Sequence, residues 1–150
     1  ASGLGAAVVK KLSSMGVKVT ILDKDVPRGL ALAEKTGSYF VEVEISDHSS
    51  VVKGLESARS RFGFERLCVN CAGIAPAQRT VSNGESHDSA LFEKVVSVNL
   101  NGTFNLQTNI LNLKADLNHM NENVVELKNF IPKVEIKELI YASSTTQQYG

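Results

Sequence analysis

Short β-rich runs alternate with longer helical stretches along this chain, and glycines mark most of the joints. Leu4 to Ser14 reads as a helix stopped by Gly16, and Val17 to Leu22 as a strand that leads into Asp23. Pro27 suits the first position of a second helix, which runs to about Thr36 and stops at Gly37. Tyr39 to Ile45 predicts the next strand. Ser46, Asp47 and Ser49 offer N-caps for a helix from about Ser50 to Phe62, ended by Gly63. Leu67 to Asn70 predicts a further strand, Cys71 to Asp88 a polar surface loop, Ser89 the start of a long helix, and Leu139 to Ala142 a last strand. Parallel neighbours need a connection of a dozen or more residues, usually a helix, so this order predicts a parallel α/β sheet rather than hairpins.

Ala1-Ser2-Gly3-Leu4-Gly5 stands at the mouth of the first helix, and Asp23 follows Gly3 by 20 residues at the end of the first strand. Glycines in such a turn let backbone N–H groups approach a pyrophosphate, and an acid about 20 residues on can accept from the adenosine ribose hydroxyls. Alone, a glycine pair of this kind says little.

The 150 residues suffice for one domain with its own core, and 43% hydrophobic with 21% charged residues is ordinary globular composition. The formal net charge of zero gives no general field toward nucleic acid or an anionic membrane. No apolar run approaches the roughly 20 residues of a membrane span, and the start carries no signal-peptide pattern. Cys68 and Cys71 form a C-x-x-C pair without the further ligands of a structural zinc site. Cys68 falls inside an apolar strand rather than at a helix start, so the pair reads as two reduced, buried thiols. His48, His87 and His119 are isolated surface residues in this reading, and no metal site is expected.

Leu106, Ile110, Leu113, Leu117, Met120, Val124, Leu127 and Ile131 alternate spacings of four and three. That is a heptad seam, ended by Pro132. It fits a coiled-coil partner face or amphipathic helices laid on a sheet.

Three further segments join the opening turn and Asp23. Ala6-Ala7 extends the turn, Val69-Asn70-Cys71-Ala72-Gly73 closes a strand, and Val98-Asn99-Leu100-Asn101-Gly102-Thr103 lies in the long helix. In this order they resemble the short-chain dehydrogenase/reductase family. The stretch from Ala1 to Leu106, which includes Arg61-Phe62-Gly63, is most similar to its 3-hydroxyacyl-CoA dehydrogenase type 2 branch, which also acts on hydroxysteroids. The resemblance implies a Rossmann-like doubly wound parallel sheet and hydride transfer between NAD and a secondary alcohol or ketone. It places Ser2, Gly3, Leu4 and Gly5 along the pyrophosphate and Asp23 on the adenosine ribose, where a carboxylate repels a 2′-phosphate and favours NAD over NADP. Basic Lys24 is adjacent. Glu44 and Ile45 match the place where the family usually has Asp and an aliphatic residue holding adenine, and Glu is one methylene longer. Cys71, Ala72 and Gly73 would pack beside the adenosine ribose. Asn99 would kink its helix and hold a water in a proton relay, and that helix would pack in a homo-oligomer interface. Ser144 would hydrogen-bond the substrate carbonyl or hydroxyl. Reduced thiols and the resemblance point to the cytoplasm or mitochondrial matrix, with a small-molecule substrate and no nucleic-acid or membrane partner.

Four departures qualify these expectations. No β-rich run precedes the glycine turn, so a single NAD-binding domain over residues 1–150 would lack its first, central strand and be truncated at both ends. Each buried backbone group left without a partner costs on the order of 1–3 kcal/mol, so the isolated chain is expected to be unstable unless another segment fills the gap. The family's acid/base Tyr-x-x-x-Lys does not occur, and Tyr149 is followed only by Gly150, so the chain is expected to be catalytically inactive. Residues 105–132 read as an atypical helical insertion, and 139–150 resemble the extended branch of nucleotide-sugar epimerases and dehydratases. An extended-branch enzyme fragment and a non-catalytic helical interaction module therefore stand as alternatives.

Overall fold

The computed structural model describes residues 1–82 and 84–110. The predicted strand Leu139–Ala142, the heptad positions from Leu113 onward, the greater part of the 105–132 insertion, His119, Ser144 and Tyr149 lie outside the described residues.

Two parallel strands form the centre. Strand β1 (Thr20–Asp23) and β2 (Tyr39–Glu42) pair with Ile21 opposite Phe40 and Leu22 opposite Val41. Both are shorter than the predicted runs, and β1 ends one residue beyond its run, at Asp23. Helix α1 (Gly3–Ser14) precedes β1 and α2 (Val26–Thr36) connects the strands. Helix α3 (His48–Phe62) follows β2. Helix α1 closes with N–H groups of Gly16 and Val17 on the carbonyls of Ser13 and Leu12, the paired bonds of a Schellman stop. Asp25 caps α2 by accepting from the Arg28 N–H at 3.1 Å, which puts Pro27 at the second helical position rather than the first. Asp47 caps α3 by accepting from the Ser49 and Ser50 N–H groups, so this helix starts two residues before the predicted Ser50.

Side chains alternate across the strands, and each face of the pair has its own core. Val9, Ile21, Leu32 and Ala33 pack with Phe40 on the face covered by α1 and α2. Val43, Val51, Leu55 and Leu106 pack with Leu22, Val41, Ile45 and Cys68 on the other. Helices on both faces of a parallel sheet are the doubly wound arrangement predicted. Contact between α2 and β2 is backbone-close: a Cβ at Gly29 would lie 2.1 Å from the Phe40 ring.

The predicted strand Leu67–Asn70 forms no ladder among the described residues, and the sheet there holds β1 and β2 alone. A strand requires a neighbour to take its backbone groups, and among the described residues none lies beside these four. The predicted loop is not wholly irregular. Strands β3 (Val81–Ser82) and β4 (Glu85–Ser86) make a small antiparallel hairpin. Helix α4 (Ser89–Val96), capped by Asp88, passes into one π-helical turn, Ser97–Asn101, and continues as helix over 102–110. Among the described residues no helix is long and apolar enough to cross a membrane.

Candidate functional site

Parallel strands deliver all their C-terminal ends to one edge, and the loops that follow form a crevice there. Helix α1 starts at the same edge. Gly3 enters it with φ of 50°, a backbone angle that costs other residues a steric penalty. Ser2 sits at the N-cap in an extended conformation, and its hydroxyl makes no capping bond. The first turn carries no acidic side chain. Unsatisfied N–H groups at a helix start favour an anion, so this turn suits a phosphate. Leu4 beside it is 53% exposed.

The segment 71–75 meets this turn at Cys71. A Cβ at Gly5 would stand 3.4 Å from the Cys71 Cβ, an ordinary van der Waals contact, so the loop approaches the helix start closely here. Three residues on, the side chain of Asn99 pairs with the backbone of Ile74. Its Oδ1 accepts from the Ile74 N–H at 2.8 Å and its Nδ2 donates to the Ile74 carbonyl at 2.9 Å. Ala72 and Gly73 are thus held between a contact to α1 and a two-bond clamp from the helix. The π-helical turn at 97–101 surrounds Asn99, and its own carbonyl accepts from the Thr103 hydroxyl at 2.9 Å. Helix departures of this kind often mark functional positions.

Asp23 ends β1 at the same edge. Its Oδ1 accepts from the Asp25 N–H at 2.9 Å, and its Oδ2 meets the Ala1 ammonium. Burial pushes the carboxyl up, but the ammonium and the N–H groups of Asp25 and Lys24 outweigh it, and the net result lies below the ordinary value. Glu44, just past β2, is engaged from both sides. Oε1 accepts from the Ser46 hydroxyl at 2.9 Å, and Oε2 lies 3.4 Å from Lys24 Nζ. Ile45 faces the helix. A Cβ at Gly102 would fall 2.7 Å from Ile45 Cγ2, and Asn105 Nδ2 donates to the Ile45 carbonyl at 3.2 Å.

The structure therefore gathers Ser2, Gly3, Leu4 and Gly5 with Cys71, Ala72, Gly73 and Asn99 in one chain of contacts, and sets Asp23, Glu44 and Ile45 at the ends of the neighbouring strands. Ser144 lies outside the described residues. Sequence reading missed the Ile74 backbone as the partner of Asn99, the Lys24–Glu44–Ser46 network, and Gly102 and Asn105 as the docking points of the helix. Lys24 stands one residue past the end of β1 and Glu44 two past the end of β2, and that nearness of two parallel strand ends was the available signal. Both thiols are held protonated. Burial, then the Glu65 and Cys71 charges, pushes Cys68 up to about 11, and burial raises Cys71. Protonated thiols are poor nucleophiles and metal ligands.

Residues 1–124 match the profile of the short chain dehydrogenase family. The chain belongs to this family. Over 110 residues it is 37% identical to 3-hydroxyacyl-CoA dehydrogenase type-2 of Homo sapiens, a match that covers 71% of this chain and 42% of that protein. The structure of 3-hydroxyacyl-CoA dehydrogenase type-2 from Mycobacterium avium superposes with a TM-score of 0.65 at 34% identity, covering 72% of this chain and 43% of the other. A 3-ketoacyl-(acyl-carrier-protein) reductase from Brucella melitensis, solved in complex with NADH, gives a TM-score of 0.64 at 29% identity, again covering 72% and 43%. This short-chain dehydrogenase spans less than half the length of these relatives. Its family match ends before 139–150, so the extended-branch likeness of those residues stands on sequence alone.

Proposed function

We propose that this chain is the nucleotide-binding part of an NAD-dependent oxidoreductase that moves a hydride between NAD and a secondary alcohol or ketone, such as a 3-hydroxyacyl-CoA or a hydroxysteroid. The observation that carries the reading is the junction of the uncapped α1 start, the Cys71–Ile74 loop and the Asp23 strand end at one edge of a parallel sheet. The donor set fits the two ends of an adenosine diphosphate: N–H groups for the pyrophosphate, a carboxylate for the ribose hydroxyls. NAD, when bound, supplies the hydride acceptor.

The chain's own residues bind and orient. Gly3 and Gly5 keep the backbone near the phosphates, and Ser2 and Leu4 line the turn. Asp23 accepts from the ribose and disfavours a 2′-phosphate by charge. Cys71, Ala72 and Gly73 form the wall beside the ribose. Asn99 sets that wall through Ile74 and bends its helix, and Ser144 orients the substrate oxygen. Residues 1–150 then form one nucleotide-binding domain carrying an insertion at 105–132, with a homo-oligomer built through the Asn99 helix. With no Tyr-x-x-x-Lys in its 150 residues, this chain lacks the family's acid/base pair. The expected result is therefore binding without turnover. Fluorescence titration of NADH into the chain checks the first half, and absorbance at the NADH band with a 3-hydroxyacyl-CoA and NAD checks the second. No saturable binding removes the nucleotide reading, and NADH production removes the claim of inactivity. The similarity to the two 3-hydroxyacyl-CoA dehydrogenases favours this substrate class over nucleotide sugars.

A further inference from the structure

Besides the Ala1 ammonium on its carboxylate, Asp23 has two further charges nearby, Lys24 and Glu44. Lys24 follows it in sequence and is more than half exposed. An ammonium there would offset the repulsion between the Asp23 carboxylate and a 2′-phosphate. Lys24 is engaged instead. Its Nζ lies 3.4 Å from Glu44 Oε2, across the gap between the two strand ends. Glu44 is fixed for this task. Its N–H donates to the Ser50 hydroxyl at 3.1 Å, and its Oε1 accepts from the Ser46 hydroxyl at 2.9 Å and the Ser46 N–H at 3.4 Å. Burial pushes the Glu44 carboxyl up, but Ser46 and Lys24 more than offset it, so the group stays ionised at neutral pH. The three side chains Asp23, Lys24 and Glu44 together carry one negative charge, which the Ala1 ammonium on Asp23 balances; without Glu44 the group would be net positive.

We propose that Glu44 is a specificity-determining residue, which keeps the site selective against 2′-phosphorylated dinucleotides by holding the Lys24 ammonium away from the ribose position. This inference rests on the reading of Asp23 as the ribose acceptor. It gives Glu44 a part in the choice of nucleotide through Lys24, besides any contact with adenine.

The test measures dissociation constants of the full chain for adenosine 5′-diphosphoribose and its 2′-phosphate counterpart by calorimetry at low salt. The quantity read is their ratio. Glu44→Gln keeps the shape and a Ser46 acceptor while it removes the charge that holds Lys24. It should shift the ratio toward the 2′-phosphate by about fivefold, the order of one exposed charge contact. Lys24→Met in that background should return the ratio to near the wild-type value. Lys24→Met alone should change it less than about twofold, because the ammonium is already engaged. A Glu44→Gln ratio equal to wild type, with both ligands bound, overturns the inference and leaves the nucleotide site standing. A shift of the same size with Lys24 present or absent overturns it too, since Glu44 would then act by its own charge. A large effect of Lys24→Met alone also overturns it, and needs no change at Glu44. If wild type binds neither ligand, the nucleotide reading itself falls, and this inference with it.

Discussion

The segments Thr20–Asp23 and Leu67–Asn70 have the same length and the same apolar character, yet only the first is a strand. Thr20–Asp23 is hydrogen-bonded to Tyr39–Glu42 and covered on both faces, with Ile21 only 5% exposed. Leu67 is 54% exposed, and no strand lies beside its segment among the described residues. Cys68, its neighbour, does reach the Val43–Leu106 core. An apolar run is therefore a candidate strand, and pairing makes it one. Backbone groups left to water cost little, but a run without a partner gains no ladder and fixes less side-chain burial.

The sharpest way to break this contrast is to damage each region and compare. Gly29→Val drives a side chain into the Phe40 ring, where even a Cβ would lie at 2.1 Å. Overpacking of this kind should cost about 3 kcal/mol. Leu67→Ala removes a side chain that is about half exposed and should cost less, about 0.5 kcal/mol. Urea unfolding of both variants with the wild type, at one pH, gives the two values. Equal costs would mean that 67–70 is packed as tightly as the β1–β2 unit.

A second test asks what orders the 71–75 loop when no ladder does. Asn99→Ala leaves the Ile74 N–H and carbonyl without their side-chain partner, a loss of about 2 kcal/mol that should be felt locally. Hydrogen exchange should speed up at Ile74 by about tenfold or more, while the amides of the β1–β2 ladder keep their protection. Asn99→Asp retains an acceptor for the Ile74 N–H and should fall between the two. If the ladder loosens together with Ile74, the loop and the strands form one cooperative unit, and the contrast drawn above is too strong.

The same contrast explains what was legible in the sequence. Helices were readable because their signals are local. Asp47, a cap named in the sequence, accepts from N–H groups two and three residues on, and Gly37 and Gly63 follow their helices as stops, while Asp25 and Asp88, not picked out beforehand, cap their helices in the same way. The parallel sheet and the glycine turn followed from order and spacing. Strand ends were harder, since β1 and β2 extend only as far as they face each other. The fate of Leu67–Asn70 was illegible, because it depends on residues distant in sequence. The chemistry at the edge divides likewise. Gly3, Gly5, Asp23 and Asn99 stood out as residue types at telling positions. Ile74 did not, since it contributes only its backbone to Asn99. Nor did the Lys24–Glu44 contact, which exists only because parallel pairing brings two strand ends to one place.

The smallest expected effect concerns acid, and it should be confined to the β1–β2–α3 region. Asp47 lies below its ordinary value because the Ser49 hydroxyl and the N–H groups of Ser50 and Ser49 donate to its charged form. Glu44 is also lowered, since burial opposes but does not overcome Ser46 and Lys24. A carboxyl whose folded-state value is depressed adds stability above its unfolded value and loses it as pH falls through the lower folded value. With reference values of 3.8 for Asp47 and 4.5 for Glu44, the loss should begin below about pH 5 and deepen through the acid range. Asp47→Asn keeps a side-chain oxygen at the cap and removes the titration, so its stability should vary less with pH than that of the wild type across this window. Urea midpoints measured from pH 7 downward give both slopes. Parallel slopes would show that the α3 cap is carried by its hydrogen bonds without its charge. A flatter slope in the variant would place part of the acid sensitivity of the whole chain at the start of one helix, in the half where a ladder already exists.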